Sequence, residues 1–157
     1  MPYSPIEVAK WFINKGIEEN NPVTQMKLQK MLYFAQGYSL AKFGEPIIDA
    51  DFEAWQFGPV IPEIYTEFSS YSAFPIDDAK WKIRARFDAN AQRTLLTTWM
   101  STKDVSASKL SAWTHLPDSP WDDAYTPRAN NIISEDKLKL YFEKRILTKK
   151  KNEAEKG

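Results

Sequence analysis

Ile6, Ala9, Phe12 and Ile13 recur at helical spacing behind Ser4-Pro5, which predicts a first helix opened by Ser4 or Pro5 and weakened near its end by Gly16. Asn20-Asn21-Pro22 interrupts the pattern, and Thr24 stands as the N-cap of a second helix over 25–42. There Leu28, Met31, Leu32, Ala35, Tyr38 and Leu40 cover a broad face, so this helix is expected to be buried on more than one side. Gly37 in its middle costs about 0.5–1 kcal/mol relative to Ala, which points to a close approach by another helix. Phe43-Gly44-Glu45-Pro46 stops it.

The period then shortens. Phe52, Ala54 and Gln56 alternate with Glu53, Trp55 and Phe57, the pattern of a short strand within 47–57, ended by Gly58-Pro59. A helix over 59–71 is expected next, with Ile61, Ile64, Tyr65 and Phe68 on one face. Residues 80–87 alternate strictly, cation against apolar, which predicts a strand or ribbon buried on one face. Asp88 caps a helix to about residue 102 that buries Leu95, Leu96, Trp99 and Met100. Ser106 caps a short helix through Leu110 and Trp113, Trp121 to Tyr125 makes one more turn, and Ser134 caps a last helix built on Leu138, Tyr141, Phe142 and Ile146. The sum is a mainly α protein. One compact helical domain spans 1–147 with a small β-hairpin or short-strand element, followed by a flexible basic and polar tail over 148–157.

Composition narrows the class. The chain has no cysteine, which removes disulfides, thiolate metal sites and cysteine nucleophiles and suits a reducing compartment. The N-terminus lacks a signal-peptide layout and no apolar run reaches membrane-spanning length, so the expected address is the cytoplasm, with no membrane partner. Net charge is zero, from 21 basic and 21 acidic residues, but the signs are segregated. Residues 44–79 carry eight acids and no Lys or Arg; Lys80, Lys82, Arg84, Arg86, Arg93 and Lys103 follow with Asp88 alone against them. An acidic surface suits a basic partner and argues against nucleic acid there, unless the two blocks face each other and cancel.

Catalytic constellations are sparse. The lone His115 lies one helical turn after Ser111, without a third group or a nucleophile elbow to make a hydrolase. Asp49, Asp51 and Glu53 alternate in the way that carboxylates hold a divalent ion, although acidic surface strands are far commoner. The five glycines are scattered and form no phosphate loop, and no cofactor is implied. Lys80, Lys82, Arg84 and Arg86 would give a ribbon one cationic face for phosphates, but Trp81 and Phe87 fall on the other face, away from any base.

Two strings carry more information. Residues 26–38, MKLQKMLYFAQGY, resemble the opening helix motif of the Panacea domain, the SocA-like antitoxin family also met as phage-associated proteins. Residues 53–65, EAWQFGPVIPEIY, resemble its second motif, and Leu110 to His115, Pro120-Trp121, Ile132-Ile133-Ser134 and Tyr141-Phe142 are similar to its third region. The resemblance implies an antitoxin without catalytic residues or cofactor, which neutralises a protein toxin encoded beside it by direct contact. A nucleic-acid-binding regulator, or an adaptor handing a toxin to a protease, is the alternative. Within the two motifs Lys27, Lys30, Gln36, Trp55, Gln56 and Tyr65 are polar or amphipathic in otherwise buried patterns. They either satisfy one another inside the fold or line the toxin-facing surface, where Trp and Tyr make the usual anchors.

Overall fold

The second helix, α2 (Gln25–Phe43), is buried around most of its circumference, and the other elements are arranged about it. The computed structural model describes residues 2–156, with side chains through Arg145. The element order is α1 (Pro5–Glu18), α2, β1 (Glu53–Trp55), β2 (Gly58–Val60), α3 (Pro62–Glu67), a 3-10 turn (Ser69–Tyr71), α4 (Ala89–Thr102), α5 (Ala107–Thr114), α6 (Pro120–Ala124) and α7 (Glu135–Lys156). This is a mainly α architecture with one two-stranded antiparallel sheet. Helices α1, α4, α5 and α7 and strand β2 all pack on α2. The expected tail at 148–157 falls where side chains lie outside the described residues.

The caps explain where the helices begin. Thr24 Oγ1 accepts from the Lys27 amide, Asp88 from Ala91, Ser106 from Lys109 and Ser134 from Lys137, each satisfying a first-turn N–H that has no partner within its helix. Gly37 sits where α7 crosses α2: a Cβ there would lie 2.4 Å from the ring of Phe142. The glycine is the condition of that crossing, as its place in the helix predicts.

Carboxamides do much of the work of holding extended chain. Gln36 Oε1 accepts from the amides of Ile47 and Ile48 at 3.0 and 2.9 Å while its Nε2 donates to Ile48 O at 3.0 Å. Gln29 does the same for Ile61, at 2.9 and 3.2 Å. Each side chain mimics a neighbouring strand, so the polar groups of a buried peptide are satisfied without a ladder.

Several details differ from the pattern read above. Gly58-Pro59 does not end the sheet; it is the returning strand, with Ala54 opposite Pro59 and Trp55 opposite Gly58. The proline is tolerated because β2 is an edge strand, while β1 also bridges to Ile132 on its other side. Helix α3 is accordingly shorter than 59–71, and Tyr65 lies 48% exposed, off the face of Ile61, Ile64 and Phe68. Residues 80–87 alternate in burial as expected but form no strand. They run as a strap along α1, whose side chains replace the missing ladder: Asn14 pairs with Trp81, Glu7 accepts from the amides of Arg84 and Ala85, and Lys10 donates to Lys82 O. On α4, Leu96 and Met100 are exposed, not buried. The inward stripe uses Thr94, Thr98 and Thr102 instead, and two of these hide their hydroxyls by donating to the carbonyls of Asn90 and Thr98 four residues back.

Candidate functional site

The turn between β1 and β2, Gln56-Phe57, projects Phe57 63% exposed into solvent, yet its backbone is held at three successive carbonyls. Trp121 Nε1 donates to Trp55 O at 2.7 Å, His115 Nε2 lies 3.0 Å from Gln56 O, and Ser111 Oγ donates to Phe57 O at 2.9 Å. All three side chains come from α5, its C-cap and α6. Those helices are clasped together by Ser119, whose hydroxyl caps α6 at Asp122 and donates to Thr114 O at 2.9 Å. Behind the turn the His115 ring lies 3.9 Å from Trp121, centroid to centroid, and Trp121 stacks on Tyr125 at 4.5 Å.

This arrangement disposes of the Ser–His reading. The Ser111 hydroxyl is committed to Phe57, and His115 Nδ1 faces the carbonyl of Ser111, at 2.6 Å, not its hydroxyl. The pair is a brace for the turn.

On the opposite side the hairpin closes over a chamber of about 430 Å³, whose lining includes Gln25, Met26, Gln29, Lys30, Trp55, Gln56, Phe57, Val60 and Tyr65. Trp55 and Tyr65 meet edge to face at its mouth, 5.2 Å apart. The Trp55 indole N–H is turned aside to Glu53, at 3.0 Å. Lys30 enters from α2 and is only 2% exposed. Among the described residues no carboxylate lies in the lining, and burial pulls the pKa of the Lys30 ammonium down to about 8. Gly58 roofs it. Its φ of +127° favours glycine, and a Cβ there would lie 2.9 Å from Lys30 Cε and 3.1 Å from Nζ.

Of the six residues singled out in the sequence, Lys30, Trp55, Gln56 and Tyr65 line this one chamber. Gln36 and Lys27 do not. Gln36 is 3% exposed and spends both ends of its carboxamide on the 47–48 backbone, so it has nothing to present to a partner. Lys27 donates to Lys103 O, beside Asp104, and fastens the end of α4; burial lowers its pKa and the Asp104 charge opposes that. Phe57 and the three braces from Ser111, His115 and Trp121 were not legible as a site, because their partners lie some 54–66 residues away along the chain. The one signal was that their segments belong to the third region of resemblance.

The remaining candidates disperse. Glu53 is engaged by Trp55 while Asp49 and Asp51 point to solvent, and among the described residues no group of three acids or histidines is placed to hold a metal. Lys80, Lys82, Arg84 and Arg86 are exposed along the strap, with Trp81 and Phe87 turned inward onto Phe68 and Tyr3. Among the described residues no ion pair joins this basic block to the acids of 44–79. No helix among them is long and apolar enough to cross a membrane.

Comparison with known proteins places these features. The family described as "Antitoxin SocA-like, Panacea domain" matches residues 28–122, a span holding α2 from Leu28 onward, the hairpin, the strap, α5 and the start of α6 through Asp122. A relative from Caulobacter vibrioides (strain NA1000 / CB15N), named "Antitoxin SocA", is 31% identical over 125 residues, covering 73% of this chain. The chain spans 66% of that relative's length. No solved structure matches.

Proposed function

Because the chain belongs to the SocA-like Panacea antitoxin family, we propose that it is the antitoxin of a toxin–antitoxin pair in the cytoplasm, neutralising a protein toxin by direct contact through the hairpin face. The observation that carries this reading is the braced turn. An exposed Phe57 beside Trp55, Gln56 and Tyr65 is a surface rich in interface anchors, and the three captured carbonyls fix its backbone before any partner arrives. Such pre-organisation lowers the ordering cost of association, so more of the contact energy appears as affinity. The eight acids of 44–79 surround this face in sequence and favour a toxin with a basic surface, acting on association rate more than on affinity. The site is read as a binding surface without catalysis: its only histidine and the serine beside it are both consumed in holding the turn.

Growth rescue tests the proposal. The neighbouring gene is expressed alone and then with this chain, and the chain is used to pull down its product. Toxicity relieved by co-expression, together with a co-purifying complex, is the expected result. A harmless neighbour that forms no complex overturns the reading.

A further inference from the structure

Lys30 presents a cation without a counter-ion among the described residues. It is 2% exposed, it takes part in no ion pair or hydrogen bond with any of them, and it borders an open chamber. A charge buried alone is among the costliest arrangements a fold can keep. Its pKa of about 8 still leaves roughly nine-tenths of the ammonium protonated at pH 7. We propose that the chamber behind the β1–β2 turn is a carboxylate-accepting subsite, in which Lys30 receives an Asp or Glu side chain flanked by apolar residues on a loop of the partner protein. The inference rests on the protein-binding reading above and adds the chemistry of what the face takes.

The lining decides between anions. A phosphoryl group calls for several converging N–H donors, as at a helix N-terminus or an arginine fork. Here the carboxamides of Gln25 and Gln29 each donate to a backbone carbonyl, of Phe68 and Ile61, and the Lys30 ammonium is the single cation of the lining, with the Gln56 carboxamide and the hydroxyls of Tyr65 and Ser72 as neutral donors around it. That set matches one carboxylate. Met26, Phe57 and Val60 provide the apolar wall for the residues flanking it.

The surrounding charge favours an anion borne by a protein over a free one. Glu63 and Glu67, exposed on the same short helix as Tyr65, repel small anions from bulk solution. Such exposed charges are screened over about 8–10 Å, whereas a contact to Lys30 inside the chamber is not. A partner whose surface is basic or apolar meets no such repulsion and carries its carboxylate with it.

The test uses the full chain and three probes: the peptide acetyl-Leu-Asp-Leu-amide, its Asn counterpart, and inorganic phosphate. Binding is followed by NMR at the Trp55 indole N–H and the Lys30 side-chain nitrogen. The Asp peptide should bind at millimolar concentration and raise the pKa of Lys30, with the Asn peptide at least about tenfold weaker and phosphate silent. In a Lys30→Met chain, checked for folding by circular dichroism, the two peptides should become equivalent. Equal response to both peptides in the parent chain, a response to phosphate alone, an unchanged preference in Lys30→Met, or no response at all overturns the subsite. The two readings fail separately: a chain that rescues growth but ignores the carboxylate loses only the subsite. One that prefers the Asp peptide but rescues nothing loses only the antitoxin assignment.

Discussion

Asn14 and Trp81 exchange two hydrogen bonds of 2.7 Å, the carboxamide oxygen accepting from the Trp81 amide and the carboxamide nitrogen donating to its carbonyl. A helix side chain thereby stands in for the strand that residues 80–87 lack. Replacing Asn14 by Ala leaves both groups of a half-buried peptide unpaired, at about 1–3 kcal/mol. Chemical denaturation should show that loss, and hydrogen exchange should show faster exchange at Trp81 and its neighbours before the rest of the fold. Unchanged exchange there would mean the strap is held by packing of Trp81 and Phe87 alone.

Glu7 makes the same strap sensitive to acid. Burial by itself would raise its pKa, but bonds from the Arg84 amide, the Lys10 ammonium and the Ala85 amide together bring it below the ordinary 4.5. A carboxyl with a depressed folded value contributes stability that is fully present above its unfolded value and is lost as pH falls through the folded one. The strap should therefore stay closed at neutral pH and loosen below about pH 4.5. Glu7→Gln should flatten that dependence, read by hydrogen exchange at Arg84 and Ala85.

At Lys30 the folded pKa is lowered too, but there the shift reports a cost and not a gain. Its folded value of about 8 lies below the ordinary 10.5, so the burial penalty is absent above pH 10.5, grows as pH falls, and is complete below about pH 8. The full difference corresponds to about 3 kcal/mol. Lys30→Met should thus be more stable than the parent at pH 7 by up to that amount, with the gap closing between pH 8 and pH 10.5. A gap independent of pH would show that packing, not charge, separates the two chains. The same substitution is expected to weaken toxin binding, so stability and function move in opposite directions.

Gly37→Ala places a methyl group where the Phe142 ring lies. Overpacking of this kind costs about 1–3 kcal/mol, and it should appear as a lower melting temperature with α7 exchanging first. If Gly37→Ala is instead stabilising, as expected for an unobstructed helix position, α7 does not approach α2 as closely as described.

Much of this architecture was legible in the amino-acid pattern, for a physical reason: caps and helical periodicity act over a few residues. Thr24, Asp88, Ser106 and Ser134 all cap the helices they precede, and the breadth of the α2 apolar face foretold its central place. What stayed hidden depends on distant partners. The strap has the alternation of a strand because one of its faces is buried, and nothing in that alternation says whether its N–H groups meet a neighbouring strand or Asn14 and Glu7. Leu96 and Met100 look like core by hydropathy, and the threonines that displace them look polar until their hydroxyls are seen bonded to their own helix. At the site, Lys30 and Tyr65 could be picked out as anomalies, but the chamber that joins them with Trp55 is made by chain reversal at Gln56-Phe57.

The peptides held by Gln29, Gln36 and Asn14 are gripped by unique side chains and not by another run of backbone. Neighbouring strands can slide by two residues and still find an amide opposite every carbonyl, because one peptide group is the same as the next. A single carboxamide at a given place on a helix offers no second slot. Each extended stretch of this chain is therefore addressed by residue identity, and a misplaced segment finds an empty socket in place of a near-equivalent one.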